Sequence, residues 1–223
     1  MTTVLAEHKA RRYEPADSAF QPHGRNAKFI EWVGCDKRVL ELGCSSGFIS
    51  KYLTARNCSV TGIERDPDAA AIAKEHCNKV IVADLNSNWH EMISEKFDVI
   101  ALGDVLEHLL DPLSVLRACG GLLDQKGRIV VSVPNVAFLH NRLHLLFGRW
   151  DYTDTGILDR THTRFFTLKT ARQLIREAGY VIEAFHPVAG MRGSTRFPTI
   201  AQALTDCMPG LLGYQFLFSA KIA

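Results

Sequence analysis

Arg38-Val39-Leu40-Glu41-Leu42-Gly43-Cys44-Ser45-Ser46-Gly47-Phe48-Ile49 is the stretch that decides how this chain folds. A short apolar strand ends in a carboxylate, runs through a tight turn with glycines four residues apart, and enters a helix. That order is the βα turn of a nucleotide-binding sheet. Two residues narrow the nucleotide. Ser45 stands where a dinucleotide-binding turn uses glycine to bring a pyrophosphate against the backbone. Glu41 puts negative charge where a diphosphate would lie. A cofactor with a cationic, phosphate-free arm fits better, and S-adenosylmethionine carries a sulfonium and an ammonium there.

Outward from this turn, strands and helices alternate, the pattern of a parallel sheet with crossovers. Strands are expected over residues 38–42, 59–63, 80–83, 98–102, 128–133, 181–187 and 214–222. The first five are almost continuously apolar, as strands buried on both faces are. Asp66-Pro67 and Asp111-Pro112 each offer an N-cap followed by proline in the first turn of a helix. Thr167 caps a helix whose apolar side is Leu168, Ala171, Leu174, Ile175 and Ala178, and Gly179 ends it. Further helices are expected over 25–33 and near 199–207. Residues 1–24 form a polar N-terminal arm, and residues 25–223 one domain. Residues 135–166 are too long for an ordinary connection and read as a lid or substrate insertion.

Composition limits the function classes. The 223 residues are 47% apolar and carry a net charge of +2, enough for a real core and too balanced for a broad nucleic-acid footprint. The six cysteines contain no C-x-x-C pair and read as free thiols in a reducing cytoplasm. Glu7, His8, Lys9, Arg11 and Arg12 arrive too early for a signal peptide, and no apolar run approaches membrane-spanning length. A cytoplasmic protein without a membrane span is expected.

Glu64, Asp84 and Asp104 recur twenty residues apart, each after an apolar run. In an open parallel sheet the ligand lies beyond the carboxyl ends of the strands. Glu64, 21 residues after Gly43, stands where an acidic residue accepts from both ribose hydroxyls. Asp84 is placed to accept from an adenine amino group. Asp104 and Glu41 are placed to offset the ammonium of a methionine arm.

With these pieces the chain resembles the class I S-adenosylmethionine-dependent methyltransferases along nearly its whole length. The matching pieces are Glu41 to Gly47, Glu64, Ala83-Asp84-Leu85, and Gly103-Asp104-Val105-Leu106-Glu107-His108-Leu109. The resemblance implies an α/β fold: a doubly wound, mostly parallel seven-stranded Rossmann-like sheet. Its last strand is antiparallel and inserted between strands 5 and 6. It implies a cofactor site of Glu41, Gly43, Cys44, Ser45, Gly47, Glu64, Arg65, Asp84, Leu85, Gly103 and Asp104. Within the family it resembles the branch with ubiquinone-pathway O-methyltransferases and glycosyltransferase-associated methyltransferase domains; Asp151 to Thr167 looks like a signature of the latter. Cys44-Ser45-Ser46 departs from the third glycine of many relatives, and serine is a common variant there.

The chemistry needs position more than a reagent from the protein. Methyl transfer is an in-line displacement, and a base is needed only when the acceptor must lose a proton. His108, on the cofactor rim beside Glu107, is one candidate base; packing against its own loop is the competing role. His162, among Asp159, Arg160 and Arg164 and just before Phe165-Phe166, is the other, with a hydrogen bond tying the insertion to the sheet as its structural alternative. His140 and His144 have the i, i+4 spacing of a zinc pair but no third ligand, and read as the polar face of a helix over 138–147. Leu139, Leu143, Leu145, Leu146 and Phe147 would form its apolar side, for which covering the substrate is the favoured role and a dimer contact or a membrane surface the alternatives. No metal site is expected.

The sequence therefore points to methyl transfer from S-adenosylmethionine to a small-molecule or glycan-linked acceptor, at oxygen. A non-catalytic cofactor-binding regulator is the main alternative. An NAD-dependent oxidoreductase is opposed by Ser45 and Glu41.

Overall fold

The computed structural model describes residues 25–190 and 198–223; the N-terminal arm expected over residues 1–24 lies outside them. Seven strands form one sheet: β1 Arg38–Leu42, β2 Ser59–Glu64, β3 Lys79–Val82, β4 Phe97–Gly103, β5 Leu123–Pro134, β6 Tyr180–Ala189 and β7 Gly213–Ile222. Their order is β3-β2-β1-β4-β5-β7-β6. The first five strands pair in parallel. β7 lies antiparallel between β5 and β6, as the sequence implied. Strand order reverses between β1 and β4, so the crevice for a ligand opens above their carboxyl ends.

Eight α-helices accompany the sheet among the described residues: α1 Arg25–Val33, α2 Phe48–Thr54, α3 Pro67–Ala73, α4 Pro112–Leu122, α5 Leu139–Leu146, α6 Leu168–Glu177, α7 Pro198–Cys207 and α8 Pro209–Leu212. The punctuation read from sequence is in place. Asp66 accepts from Asp68 N and Asp111 from Ser114 N, each followed by proline. Thr167 and Thr170 form a reciprocal capping box, and Gly179 leaves α6 at φ 94°. β5 begins five residues earlier than expected because α4 runs straight into it, carrying Leu123 into the sheet beside Phe97.

Alternation along the strands divides the core into two layers. Leu40, Leu42, Ile63, Ile100, Leu102, Ile129, Val131 and Phe218 face one side, with Trp89, Leu116 and Ile175. Val39, Val60, Val99, Ala101, Val130 and Leu217 face the other, with Phe29, Ile30, Val33 and Leu53 of α1 and α2. No helix among the described residues is long and apolar enough to cross a membrane.

Candidate active site

The turn after β1 is built by its neighbours. Gly43 N–H and Cys44 N–H both donate to Ile63 O of β2, at 2.8 and 3.0 Å, and Gly47 N–H closes the turn on Cys44 O at 2.9 Å. Gly43 and Gly47 have φ 68° and 81°, and Ser45 shares the left-handed region at φ 49°. A Cβ on Gly43 would lie 2.9 Å from Val105 Cγ2, so only glycine lets the loop after β4 come this close. Ser45 costs on the order of 1 kcal/mol of backbone strain. Its N–H is held by Glu64 Oε2 at 3.0 Å. Glu64 Oε1 takes Asp66 N–H at 2.8 Å, so this one carboxylate locks the turn to the end of β2.

The other strand ends share the same rim. Asp84 accepts from Asn86 N–H and Nδ2–H, at 2.9 and 3.0 Å, and Asn86 Oδ1 accepts from Leu110 N–H at 2.9 Å, joining the loops after β3 and β4. Leu85 is buried in the core, and Arg65, next to Glu64 in sequence, is exposed. Gly103 ends β4, and Asp104 follows in the left-handed region at φ 57°. Ser132 Oγ accepts from Asp104 N–H and donates to Asp104 Oδ1 at 2.7 Å. Gln215 Nε2 donates to the same oxygen, and Arg25 at the start of α1 forms an ion pair with Oδ2.

One expected role is corrected here. Glu41 does not point its charge into the crevice. Strand alternation puts its side chain on the α1–α2 face, where it is buried and accepts from Ser50 Oγ at 2.5 Å. Burial pushes its pKa up to about 8, partly opposed by the Ser50 hydrogen bond, so it is mostly uncharged at neutral pH. Asp104 is on the rim, where its carboxylate is paired with Arg25. Sequence reading missed Arg25; the one local signal was a basic residue opening the helix over 25–33.

The insertion supplies the rest of the site. Its neck is a bridge between Asn135 and Phe166, with Val136 N–H on Phe166 O at 2.9 Å. Its later half is stitched onto the loop after β4. Thr163 N–H and Arg164 N–H donate to Glu107 O at 2.8 and 3.0 Å, and Arg164 Nη2–H donates to Leu110 O at 2.6 Å. This brings His162 onto His108, with ring centroids 4.7 Å apart edge to face. His108 Nδ1 lies 3.3 Å from Thr161 O, and His162 Nδ1 2.9 Å from Ile157 O. A carbonyl only accepts, so His162 Nδ1 carries its proton and Nε2 its lone pair. Burial holds both imidazoles below the ordinary histidine range, the neighbouring ring adding to the effect at His108. The two candidate bases are thus brought together as neutral imidazoles.

Glu107, between Asp104 and His108, is 1% exposed. Its Oε2 has no hydrogen-bond partner among the described residues, and burial pushes its pKa up to about 8. Glu107, His108 and His162 present donor atoms within 4.8 Å of one another, a set that could hold a cation and that the sequence did not signal. Asp159, also 1% exposed, braces the group by accepting from Thr161 N–H and Oγ1–H at 2.8 and 2.7 Å. The earlier half of the insertion carries the apolar side of α5. Leu146 and Phe147, on and after α5, are 75% and 77% exposed.

Residues 11–184 match the family model of the methyltransferase domain. The chain belongs to that family. Among curated relatives, a ubiquinone biosynthesis O-methyltransferase of Pseudomonas aeruginosa (strain LESB58) is 32% identical over 140 residues, 58% of this chain and 60% of that one. One from Haemophilus ducreyi is 35% identical over 108 residues, 44% of this chain and 46% of that one. The methyltransferase-domain chain thus matches less than two thirds of the length of these relatives. Among solved structures, a SAM dependent methyltransferase from Archaeoglobus fulgidus superposes with a TM-score of 0.64 at 16% identity, over 98% of each chain. Magnesium protoporphyrin IX methyltransferase from Synechocystis PCC 6803 with bound SAH superposes at 0.63 and 15% identity, over 100% of this chain and 95% of that one. These structural likenesses establish the fold.

Proposed function

We propose that this methyltransferase-domain chain transfers a methyl group from S-adenosylmethionine to a hydroxyl oxygen of a small-molecule or glycan-linked acceptor, with His162 as the base. The observation that carries the reading is the pair of neutral imidazoles, fixed by carbonyl partners, over the rim that holds Glu64, Asp104 and Arg25.

The residues present fit the cofactor. The left-handed turn keeps side chains clear of the crevice, as close approach of a ligand requires. Glu64 has one N–H on each oxygen, leaving further lone pairs toward ribose hydroxyls. Arg25 stands where a guanidinium can take the carboxylate of the methionine arm, moving from Asp104 or bridging the two groups. When bound, the cofactor supplies an electrophilic methyl on sulfonium sulfur. The protein then holds the acceptor oxygen in line and excludes water, which removes entropy from the barrier before the reaction. His162 Nε2 takes the acceptor proton, and Ile157 O stabilises the imidazolium through Nδ1–H. The P. aeruginosa and H. ducreyi relatives, named as O-methyltransferases, support oxygen as the acceptor atom.

The test has two parts. S-adenosylhomocysteine should bind by calorimetry and raise the melting temperature; no binding would overturn the cofactor assignment and the regulatory alternative together. A panel of phenols, catechols and sugar hydroxyls should then yield a product heavier by one methylene, with turnover lost and cofactor affinity kept in His162→Ala. Binding without transfer to any acceptor would favour the non-catalytic regulator.

A further inference from the structure

Behind the glycine turn, on the side of the sheet covered by α1 and α2, lies a line of polar groups that methyl transfer does not use. Ser50 Oγ donates to Glu41 Oε2, and the Cys77 sulfur lies 3.0 Å from the same hydroxyl oxygen. Gly62 makes room for this. A Cβ there would lie 2.6 Å from Cys44 Sγ and 3.2 Å from Cys77 Sγ, so both sulfurs converge on a strand position that has no side chain. The two thiols are not equivalent. Cys44 is buried in the turn, and its neighbours raise its pKa; Cys77, just past α3, is half-buried and donates to Ser50 Oγ, and the adjoining Cys44 thiol holds its pKa below the ordinary thiol value. The half-buried sulfur is the one a small oxidant reaches, and the buried one, converging on the same point over Gly62, is positioned to resolve it.

We propose that Cys77 and Cys44 form a peroxide-modification site, in which Cys77 is oxidised and Cys44 closes a disulfide that deforms the cofactor turn. The oxidant is hydrogen peroxide or an organic hydroperoxide. The Cys77 thiolate attacks one peroxide oxygen, the O–O bond breaks, and Cys77 becomes a sulfenic acid while the other oxygen leaves as water or an alcohol. Cys44 sulfur then attacks the Cys77 sulfur. The S–O bond breaks, the hydroxyl leaves with the Cys44 proton as water, and a disulfide remains. A dithiol reductant reverses it by exchange. The effect on function rests on the Gly43–Gly47 turn holding the cofactor. Cys44 N–H is bonded to Ile63 O and Cys44 O to Gly47 N–H, so pulling Cys44 toward the end of α3 distorts both ends of the turn. By linkage, bound cofactor opposes disulfide formation by the same factor.

The experiment treats the full chain with hydrogen peroxide, maps disulfides by peptide mass spectrometry, and measures S-adenosylhomocysteine affinity before, after, and on dithiothreitol treatment. The expected result is a Cys44–Cys77 bond, affinity weakened by about tenfold or more and restored by reductant, and Cys77→Ser retaining its affinity through peroxide. S-adenosylhomocysteine added first should slow the oxidation. No disulfide, a Cys35–Cys58 bond in its place, or oxidised protein that binds as before would overturn the proposal. A Cys44–Cys77 bond in protein whose reduced form never bound S-adenosylhomocysteine would instead overturn the cofactor reading of the turn.

Discussion

Replacing Glu107 by glutamine should change how stability depends on pH. In the fold the Glu107 carboxyl titrates at about 8, against 4.5 for an unperturbed glutamate, and burial is the main cause. Between those values the native state holds a proton that the unfolded chain has released. Stability therefore falls as pH rises through this window, by about 1.4 kcal/mol per pH unit for each such group. Glu41 behaves alike and contributes a second, independent slope. For a chain of 223 residues 1 kcal/mol is about 2–4 °C of melting temperature, so Glu107 alone should account for roughly 3–6 °C per pH unit. The assay is thermal unfolding of wild type, Glu107→Gln and Glu41→Gln at half-unit steps from pH 5 to 8. Each variant should be shallower than wild type by that amount, and the double variant shallower still. A constant penalty from the new amide, whose N–H groups lack an acceptor, would shift a whole curve without changing its slope. Parallel curves for wild type and Glu107→Gln would refute the reasoning and mean that Glu107 is already ionised in the fold.

Gly62→Ala should destabilise by about 1–3 kcal/mol through overpacking, because the new methyl falls 2.6 Å from Cys44 Sγ. The loss should shrink when Cys44→Ala is made as well, and equal losses in both backgrounds by denaturant unfolding would reject that contact as the cause. Arg25→Met should weaken S-adenosylhomocysteine by about 1.5–3 kcal/mol, the size of a charged hydrogen bond, measured by calorimetry; unchanged affinity would leave Arg25 as only a partner of Asp104. Burial keeps His162 below its ordinary pKa, so turnover should rise with pH through a value under 6.5 and be flat by neutrality. An inflection above 7 would assign the base elsewhere. Arg164→Ala, losing its side-chain bonds to Leu110 O, should raise amide exchange over 157–163 with the sheet unchanged; unaltered exchange would show that the backbone bonds to Glu107 suffice.

The sequence alone determined the local grammar. The period of the apolar runs, the Asp-Pro caps and the glycines at positive φ depend on neighbours a few residues away, and such signals survive in one dimension. It also determined that Glu64 and Asp104 sit on one rim, because strand ends follow from strand bounds. Glu41 shows the edge of that reach. Leu40 and Leu42 fix one face of β1, so Val39 and Glu41 fall on the other, and alternation could have turned Glu41 away from the crevice. Only the packed helix α2 showed that Ser50 receives it and that burial neutralises it. The pairing of Asp104 with Arg25, the meeting of His108 with His162, and the convergence of Cys44 and Cys77 over Gly62 were decided by tertiary structure. Each joins residues more than thirty positions apart, set by how helices dock and how the insertion folds back on Glu107. Charges and proton affinities follow from those contacts and from burial, so the chemistry of this site is a property of the packed molecule.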